Sequence, residues 1–331
     1  MQVLLIKPTS GIQYDITNAC ASYTWSGSAS EASRQFEFNY LNSPYESSLQ
    51  LPSIEIGDYI SFSDNSNTEV FYGQILAVER SSQIGTITYT AYDAMRNLLN
   101  SKGNYVFANQ TAEAIAAKVC NDIQMNIRYL QPTGVNIASM VCEDMTFYDI
   151  IMAAYTKAHK ISGDKYFAMI YKHGLGVYKS EWIVSGFTLS DTSNIYSSSI
   201  TEEVSEIVNR VCIYDDKGTL IGEVKDDNSI NSYGTYQQIY KQEEGVSAND
   251  AANTMLKSLP TQSIKISAIG DINCLSCYFV QLTDGATGLS GRYWISSDSH
   301  KWENGVYTME LELTFDSLMT EVEAKEAEKK K

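Results

Sequence analysis

The densest group of carboxylates in the sequence is Glu202, Glu203 and Glu206, and the pairs Asp215–Asp216 and Asp226–Asp227 follow it. Two carboxylates that flank a sugar linkage are the groups with which glycosidases cleave it, so these glutamates raise the hypothesis of a cell-wall hydrolase. Adjacent carboxylates on a solvated turn before a strand are much more common, and no aromatic side chains for sugar stacking cluster around them. The aspartate pairs lack the alternating spacing with glycine of a calcium loop. We therefore predict no catalytic and no metal-binding residues among them.

The three histidines, His159, His173 and His300, lie in three different predicted elements. No arrangement of nucleophile, base and orienting group recurs near them, and the sequence holds no Gly-x-Ser-x-Gly, His-Glu-x-x-His or P-loop motif. His159 ends a predicted helix, where an imidazolium would interact favourably with the helix dipole, and His173 lies in a predicted hairpin turn. Structural roles are therefore predicted for the histidines.

Six cysteines are present, and Cys274 and Cys277 have the Cys-x-x-Cys spacing of a redox or zinc motif. A second Cys/His pair is lacking nearby, and so is the strand–helix context of a thioredoxin-like motif. All six lie in apolar contexts rather than in the framework of a small secreted protein. We predict reduced, packed thiols and no cofactor.

The elements that would position these residues show the same sequence pattern twice, once near each end of the chain. Each copy has three runs of alternating apolar residues, separated by hairpin-type turns and closed by an aspartate that would cap a short helix. The first copy has runs at 58–62, 71–78 and 86–92, a turn at 83–85 and the closing Asp93; the second has runs at 278–282, 292–297 and 307–315, turns at 284–285 and 303–305, and the closing Asp316. An arginine opens an earlier strand in each copy, Arg34 in the first and Arg210 in the second. A duplicated sheet module favours the building of symmetry over chemistry.

Between the two copies the apolar period changes from that of a strand to that of a helix. One helix is predicted from Thr111, and a second over residues 147–160, with Thr146 as its cap and Gly163 at its end. Residues 165–178 are predicted to form a hairpin. The middle of the chain is therefore predicted to be a small domain of helices and strands.

Residues 185–199 are rich in Ser, Thr, Asn and Asp, which predicts an exposed connector with local turns. Together with the predicted hairpin tips at 64–68 and 284–290, this connector is our candidate for an interface, although a loop tip is usually only solvated. A further helix is predicted over residues 247–259, where Pro260 stops it.

The sequence becomes rich in Glu and Lys after Phe315. Glu321 with Lys325 and Glu326 with Lys330 have the i,i+4 spacing that supports a helix by a few tenths of a kcal/mol. The last turns lack apolar anchors, so this tail is predicted to fray unless a partner holds it.

The formal net charge of −16 and the pI near 4.6 argue against a duplex-binding protein, because affinity for nucleic acid rests largely on Lys and Arg. An acidic surface suits a soluble protein and equally the wall of a passage to which DNA must not adhere, and both interpretations stay open. The 44% hydrophobic content excludes wholesale disorder, and 331 residues suffice for two or three domains. No segment approaches the ~20 apolar residues of a membrane span, and no charged leader precedes the first apolar run, so we expect synthesis and folding in a cytoplasm.

Several short motifs carry a resemblance to a known family when they are taken in order. In the first half they are Asp15-Ile16-Thr17, Trp25-Ser26-Gly27, Arg34-Gln35-Phe36-Glu37-Phe38, Gly57-Asp58-Tyr59-Ile60, Phe71-Tyr72-Gly73 and Thr90-Ala91-Tyr92-Asp93 leading to Leu98-Leu99; in the second half they are Glu206-Ile207-Val208-Asn209-Arg210-Val211, Ser229-Ile230, Tyr233-Gly234 and the helix bearing Ala248, Ala251, Ala252 and Leu259. Over residues 12–318 this order resembles the baseplate hub proteins of phage and phage-like contractile tails, of the late-control-D type, and in particular the PBSX-like prophage hub.

The resemblance implies a mainly β fold with an α+β insertion, in which two similar tube-type antiparallel β-barrel domains accompany a small mixed α/β middle domain. The predicted boundaries are 1–104 for the first barrel, 105–200 for the middle domain and connector, 201–318 for the second barrel with its inserted helix, and 319–331 for the charged tail.

The resemblance also implies that three chains form a ring, whose six barrel positions face a sixfold tail tube and whose threefold side faces the central spike. Its implied partners are the tube or tube-initiator protein, the spike and other baseplate proteins, with no stable nucleic-acid binding although DNA would pass through the lumen. Such a protein is made in the bacterial cytoplasm and ends in the tail baseplate of the released particle. The family offers no catalytic, cofactor or metal positions to carry over.

Two other functions stay open from the sequence. The abundance of Tyr among polar turns is consistent with a receptor- or glycan-binding tail protein, which exposed aromatic side chains over shallow grooves would support. The carboxylates at 202, 203 and 206 are the only motivation for a cell-wall hydrolase.

Overall fold

The structure is a computed structural model that describes residues 1–42, 48, 50–81, 85–242 and 247–325. The strands are β1 Gln2–Ile6, β2 Gln13–Asp15, β3 Cys20–Ser28, β4 Gln35–Asn42, β5 Tyr59–Ser63, β6 Glu69–Glu79, β7 Gly85–Tyr92, β8 Lys102–Thr111, β9 Ile127–Leu130, β10 Asn136–Thr146, β11 Tyr166–Tyr171, β12 Gly174–Lys179, β13 Ile183–Ser190, β14 Ile195–Glu203, β15 Arg210–Tyr214, β16 Leu220–Lys225, β17 Gln237–Lys241, β18 Thr261–Ile269, β19 Phe279–Asp284, β20 Leu289–Glu303 and β21 Val306–Thr314. The helices are α1 Met95–Asn100, α2 Ala112–Asp122, α3 Phe147–Ser162, α4 Asp227–Tyr233 and α5 Ala248–Met255, and Thr17–Ala19 forms a 3-10 turn.

The largest sheet contains the same order of strands twice. The first frame runs β3-β4-β7-β6-β5-β1 across the sheet, and the second frame runs β14-β18-β21-β20-β19-β13. Corresponding strands also follow one another in the same order along the chain, and β3 pairs with β20 to join the frames. The last strand differs, because β1 lies antiparallel to β5 whereas β13 lies parallel to β19. The duplication expected from the sequence is therefore visible as a repeated strand order, and the prediction of a mainly β fold with an α+β insertion is confirmed.

The prediction that the strands opened by Arg34 and Arg210 occupy equivalent places in the two copies is wrong. Arg34 precedes β4, which pairs with β3 and β7 in the first frame. The strand opened by Arg210 is β15, which lies in a separate sheet of order β16-β15-β17, and β18 takes the place of β4 in the second frame. Both strands are short apolar runs, and strand pairing over such distances along the chain has no local sequence signal.

The first frame is built on the alternation predicted for it. Phe36, Phe38 and Tyr40 of β4 are buried on one face, and their neighbours point to the other. The three side chains belong to a core that also contains Trp25 and Phe62. Aromatic side chains bury large areas on a pleated surface, so this frame is held largely by ring packing.

The middle of the chain is the mixed insertion that was predicted. β8 pairs with β10, β11 with β12 and β12 with β9, while α2 and α3 supply much of the buried core. Thr146 caps α3 by accepting a hydrogen bond from the amide of Asp149 at 3.0 Å, and Gly163 ends the helix with a φ of 79°. The predicted helices at Thr111 and 147–160 and the hairpin at 165–178 are thus present.

Compactness divides the chain into one unit of Met1–Ser198 with Lys265–Lys331 and a second unit of Ser199–Ile264. In the second unit, α5 packs on the sheet of β15, β16 and β17 around Val211, Ile213 and Ala252. The helix ends at Met255, earlier than the predicted residue 259, because Leu256 is already extended and Leu259 points to solvent. The finer division into residues 1–104, 105–200, 201–318 and 319–331 stays a prediction.

The expected connector at 185–199 is instead mostly strand. β13 covers its first part, with Val184 and Leu189 buried, and β14 begins at Ile195. The turn between them is held by Asn194, whose Oδ1 accepts from the amide of Ser190 at 2.8 Å. Hydroxyl-bearing residues sit well on a solvated sheet face, so the many Ser and Thr concealed the alternation.

The prediction that the tail frays is wrong for the residues up to Lys325. Residues 317–325 form an extended C-terminal strap in which Met319, Val322 and Ala324 pack against the core of the middle insertion. The amide of Val141 in β10 donates to the carbonyl of Lys325 at 2.9 Å. Apolar residues spaced along an extended segment thus anchor it without a helix. The Glu326–Lys330 pair and the positions 83 and 84 of the first predicted turn lie outside the described residues.

Among the described residues, no helix has the length and apolar character needed to cross a membrane.

Candidate functional site

The two frames meet at a buried ion pair between Arg34 and Asp298. Arg34 lies just before β4, and its side chain crosses β3 at Gly27 to reach β20. Its Nη1 donates to Asp298 Oδ1 at 2.9 Å, its Nη2 pairs with Oδ2, and its guanidinium lies 4.2 Å from the centre of the Trp25 ring. A Cβ atom at residue 27 would lie 2.4 Å from Nη1, so this crossing requires glycine.

Further donors hold the Asp298 carboxylate. The amide of Ser276 donates to Oδ1 at 2.6 Å, and His300 Nε2 lies 3.3 Å from Oδ2. His300 is fully buried, and its Nδ1 lies 2.8 Å from the hydroxyl of Tyr307. Burial alone would raise the pKa of Asp298, but the Arg34 charge and these hydrogen bonds outweigh it and hold the pKa below its usual range.

A second buried carboxyl, Asp93, adjoins the same arginine. It follows β7 at the start of α1, where the sequence predicted a helix-capping aspartate, and its oxygens accept from the backbone amides of Arg34 at 3.2 Å and Met95 at 3.1 Å. The Ser33 hydroxyl donates to it at 2.9 Å. Burial raises the pKa of Asp93 to about 7 despite these hydrogen bonds. Its counterpart Asp316 caps no helix, because the strap follows it.

The junction cluster, defined as Arg34, Asp93, Asp298 and His300, was not singled out from the sequence. A cavity of about 160 Å³ reaches Arg34 and Asp93, so the charged groups are not fully sealed. Every oxygen of the two carboxylates nevertheless accepts at least one hydrogen bond from the chain itself. The arrangement is therefore suited to fixing the register of one frame against the other rather than to proton transfer. The sequence predicts that Arg34 opens a strand, that Asp93 caps a helix and that His300 has a structural role, but no local signal connects these residues with Asp298.

The two predicted hairpin tips have the same local construction. Asp64 follows β5, and its Oδ1 accepts from the amides of Ser66 and Thr68 at 2.8 Å each. Asp284 ends β19 in the second frame, and its carboxylate accepts from the amide of Ala286 at 3.0 Å. Aspartate at the first position of a turn satisfies backbone amides in this way. The tips occupy equivalent places in the repeated strand order.

The candidate hydrolase carboxylates do not converge on a common point. Glu202, Glu203 and Glu206 are all exposed in the second unit. Glu202 accepts a hydrogen bond from Gln262, whereas the Glu206 carboxylate lies 3.9 Å from Lys257 Nζ. Glu202 and Glu206 thus have separate partners on an open surface. This arrangement does not favour paired acid–base work on a sugar.

The other candidate residues have structural partners. His159 Nδ1 lies 3.0 Å from the carbonyl of Asp164 at the end of α3, and His173 lies in the β11–β12 turn beside Glu69. Cys274 and Cys277 are buried and unbridged, and burial raises the pKa of Cys277 to about 12. In the part of the chain that the structure describes, no three His, Cys, Asp or Glu side chains gather as metal ligands.

Comparison with known proteins agrees with this architecture. The sequence profile described as YQBQ-like matches residues 23–314. The phage-like element PBSX protein XkdQ of Bacillus subtilis (strain 168) is 27% identical over 280 residues, which cover 81% of this chain and 85% of XkdQ.

Solved structures show a similar fold at low sequence identity. The prophage MuSo2 43 kDa tail protein from Shewanella oneidensis superimposes with a TM-score of 0.71 and 16% identity, covering 96% of this chain and 100% of that chain. The E. coli c3393 protein is described as a type VI secretion component with structural similarity to the T4 bacteriophage tail proteins gp27 and gp5; it gives a TM-score of 0.55 and 11% identity over 93% of this chain and 76% of its own. The resemblance to phage-type tail proteins inferred from the sequence is thus confirmed, and the chain belongs to the YQBQ-like family.

Proposed function

We propose that this chain is the structural baseplate hub of a contractile injection tail, where three copies form a ring that joins the sixfold tail tube to the threefold central spike. The observation that carries the proposal is the repeated strand order of the two frames. Three chains with two similar frames each supply six similar positions, so a closed trimer presents a pseudo-sixfold face while remaining threefold.

The coarser assignment, to phage tail and baseplate proteins, rests on membership of the YQBQ-like family and on the fold shared with a prophage tail protein. The described similarity of the c3393 protein to the T4 tail proteins gp27 and gp5 supports a place in the tail, and the finer role of a hub rests on the repeated frames. The function proposed is geometric and not enzymatic. The partners are the spike, the tube or tube-initiator protein and other baseplate proteins, and the site of action is the tail baseplate after assembly in the bacterial cytoplasm.

Electron microscopy of the native particle tests the proposal. We expect a threefold ring of this chain between tube and spike, with the two frames of each copy at alternating positions around a wide lumen. An antibody or tag at the exposed Tyr233 position, compared with an untagged particle, would locate the chain. A stable chain that is absent from the tube–spike junction contradicts the proposal.

The two alternatives have their own tests. A receptor- or glycan-binding role predicts specific hits on a glycan array, and a blank array speaks against it. The hydrolase hypothesis predicts that replacing Glu202, Glu203 and Glu206 together by Gln abolishes peptidoglycan digestion. Unchanged digestion removes that hypothesis, which the separate partners of Glu202 and Glu206 already disfavour.

A further inference from the structure

A group of aromatic side chains lies on and beside the face of the β9–β12–β11 sheet that is opposite the core of the middle insertion. We call it the aromatic patch, and its members are Tyr129, Phe167, Tyr178, Trp182 and Tyr278. Phe167 and Tyr178 are cross-strand partners, while Ala168 and Val177 point from the same strands into the core on the other face. One face of the sheet thus packs on the core of the middle insertion, and the opposite face carries the rings.

The rings of the patch form one continuous set of contacts. Tyr129 stacks on Tyr178 with ring centres 5.4 Å apart, and Tyr178 lies 4.6 Å from Trp182. Trp182 in turn meets Tyr278 at 5.4 Å. Gly176 permits this arrangement, because a Cβ atom there would lie 2.3 Å from the Tyr178 ring. The ring therefore lies flat across the strand and reaches Tyr129, which is opposite Gly176.

The patch is anchored on its inner side and open on its outer side. Phe167 and Tyr178 are buried in a cluster with Phe279 and Trp294 of the second frame. Tyr129 and Trp182 are each 42% exposed. Large aromatic side chains held rigidly on a buried base and left open at the edge are typical of protein–protein contact residues, since little conformational entropy is lost when they bind.

Two cations extend the open side. Arg128 and Lys172 lie 6.0 and 5.3 Å from the ring centre of Tyr171, which is 41% exposed. Neither forms an ion pair with a carboxylate among the residues that the structure describes. Arginine and aromatic side chains together are enriched at the centres of interfaces, and unpaired cations favour an acidic partner surface.

We propose that the aromatic patch, with Arg128 and Lys172, is a contact surface for a second copy of this chain; this rests on the proposed ring. The chain carries a formal net charge of −16, so copies brought together repel one another unless cations are placed where they touch. A threefold ring uses heterologous contacts, so the patch would meet a different and acidic surface of its neighbour. A glycan ligand is disfavoured, because Trp182 is inclined by 51° to Tyr178 and by 67° to Tyr278 and the rings offer no common plane for sugar stacking.

Photo-crosslinking in the assembled particle tests this inference. A photoreactive phenylalanine derivative replaces Trp182 in a mixture of copies with light and heavy nitrogen isotopes. The same probe at Tyr233 is the matched control, since Tyr233 is 41% exposed and lies outside the patch and outside the candidate interface segments. We expect mixed-isotope crosslinks from position 182 to a carboxylate-rich segment of a second copy, and at least about tenfold fewer from position 233. Crosslinks only to another molecule, protein or glycan, or none at all, would overturn the inference.

A second readout separates this inference from the proposed function. In Arg128→Glu/Lys172→Glu particles, the position-182 crosslink should fall about tenfold, whereas Lys301→Glu, a change of an exposed lysine outside the patch, should leave it unchanged. If microscopy shows the ring but position 182 gives no copy-to-copy crosslink, only the inference fails. If no ring of this chain is present, the proposed function fails and the inference falls with it.

Discussion

At the scale of single residues, the junction cluster is the most demanding feature of the molecule. Arg34 and Asp298 are both almost fully buried, and the desolvation of two charges is repaid only because each is paired and hydrogen-bonded. A buried pair of this kind adds little net stability but penalises every alternative register of the two frames. Removing one partner therefore costs far more than the pair contributes.

We expect Arg34→Met to lower the free energy of unfolding by about 3–5 kcal/mol, because Asp298 would stay buried without its counter-ion. Urea denaturation followed by far-UV circular dichroism measures the change. The control is Lys301→Met, which removes an exposed pair with Glu303 and should cost at most about 1 kcal/mol. Equal effects of the two substitutions would show that the junction pair has no special role.

The Asp93 carboxyl predicts a pH dependence. Its pKa in the folded chain is raised to about 7, above its value in the unfolded chain, so the unfolded state ionises first and folding loses stability as the pH rises from about 4 through 7. Asp93→Asn removes this titration. The difference in unfolding free energy between the variant and the parent chain should therefore shift in favour of the variant between pH 4 and pH 8. Parallel stability curves would contradict the prediction.

At the scale of elements, local signals were predicted well and distant pairings were not. The cap at Thr146, the stop at Gly163 and the β11–β12 hairpin follow from residues close to one another in sequence. The Arg34–Asp298 pair joins residues 264 positions apart, and no rule of spacing connects them. The many hydroxyl side chains in residues 185–199 obscured the alternating pattern of a strand in the sequence. The charged residues around the apolar anchors of the strap likewise obscured its packing against the core.

The cap of α3 gives a quantitative test with an internal control. Thr146→Ala removes the hydrogen bond to the Asp149 amide and should lower the free energy of unfolding by about 1 kcal/mol. Thr111 occupies the same position before α2 but accepts no hydrogen bond from that helix. Thr111→Ala should accordingly have less than half the effect in the same thermal melts, and equal losses would refute the cap assignment.

The strap predicts local protection within the middle insertion. Deletion from residue 317 onward removes the acceptor of the Val141 amide and the apolar cover of the core, so this amide should exchange with solvent much faster. Hydrogen-exchange mass spectrometry of β10 measures the effect. Peptides from β4 in the first frame serve as the control and should be unchanged. Unaltered exchange in β10 would mean that the strap does not hold it.

At the scale of the whole molecule, the proposed ring predicts where the excess acidic side chains lie. We expect the excess of Asp and Glu to line the lumen rather than the outer rim, because a negatively charged wall prevents a polyanion from adhering as it passes. An electrostatic map calculated from an experimental structure of the particle would show this directly. A potential spread evenly over lumen and rim would contradict the prediction and leave solubility as the explanation.

The direction of a single strand carries one more consequence. β13 runs parallel to its neighbour where β1 runs antiparallel, so the two frames share one strand order but differ in the direction of this strand. In the proposed ring, a partner that contacts only the other strands of the frames would meet six similar binding positions. A partner that contacts β1 or β13 would meet only three equivalent positions, because these two strands run in different directions relative to their neighbours. The difference between the two frames would thus allow a threefold partner to bind a pseudo-sixfold ring in one defined orientation.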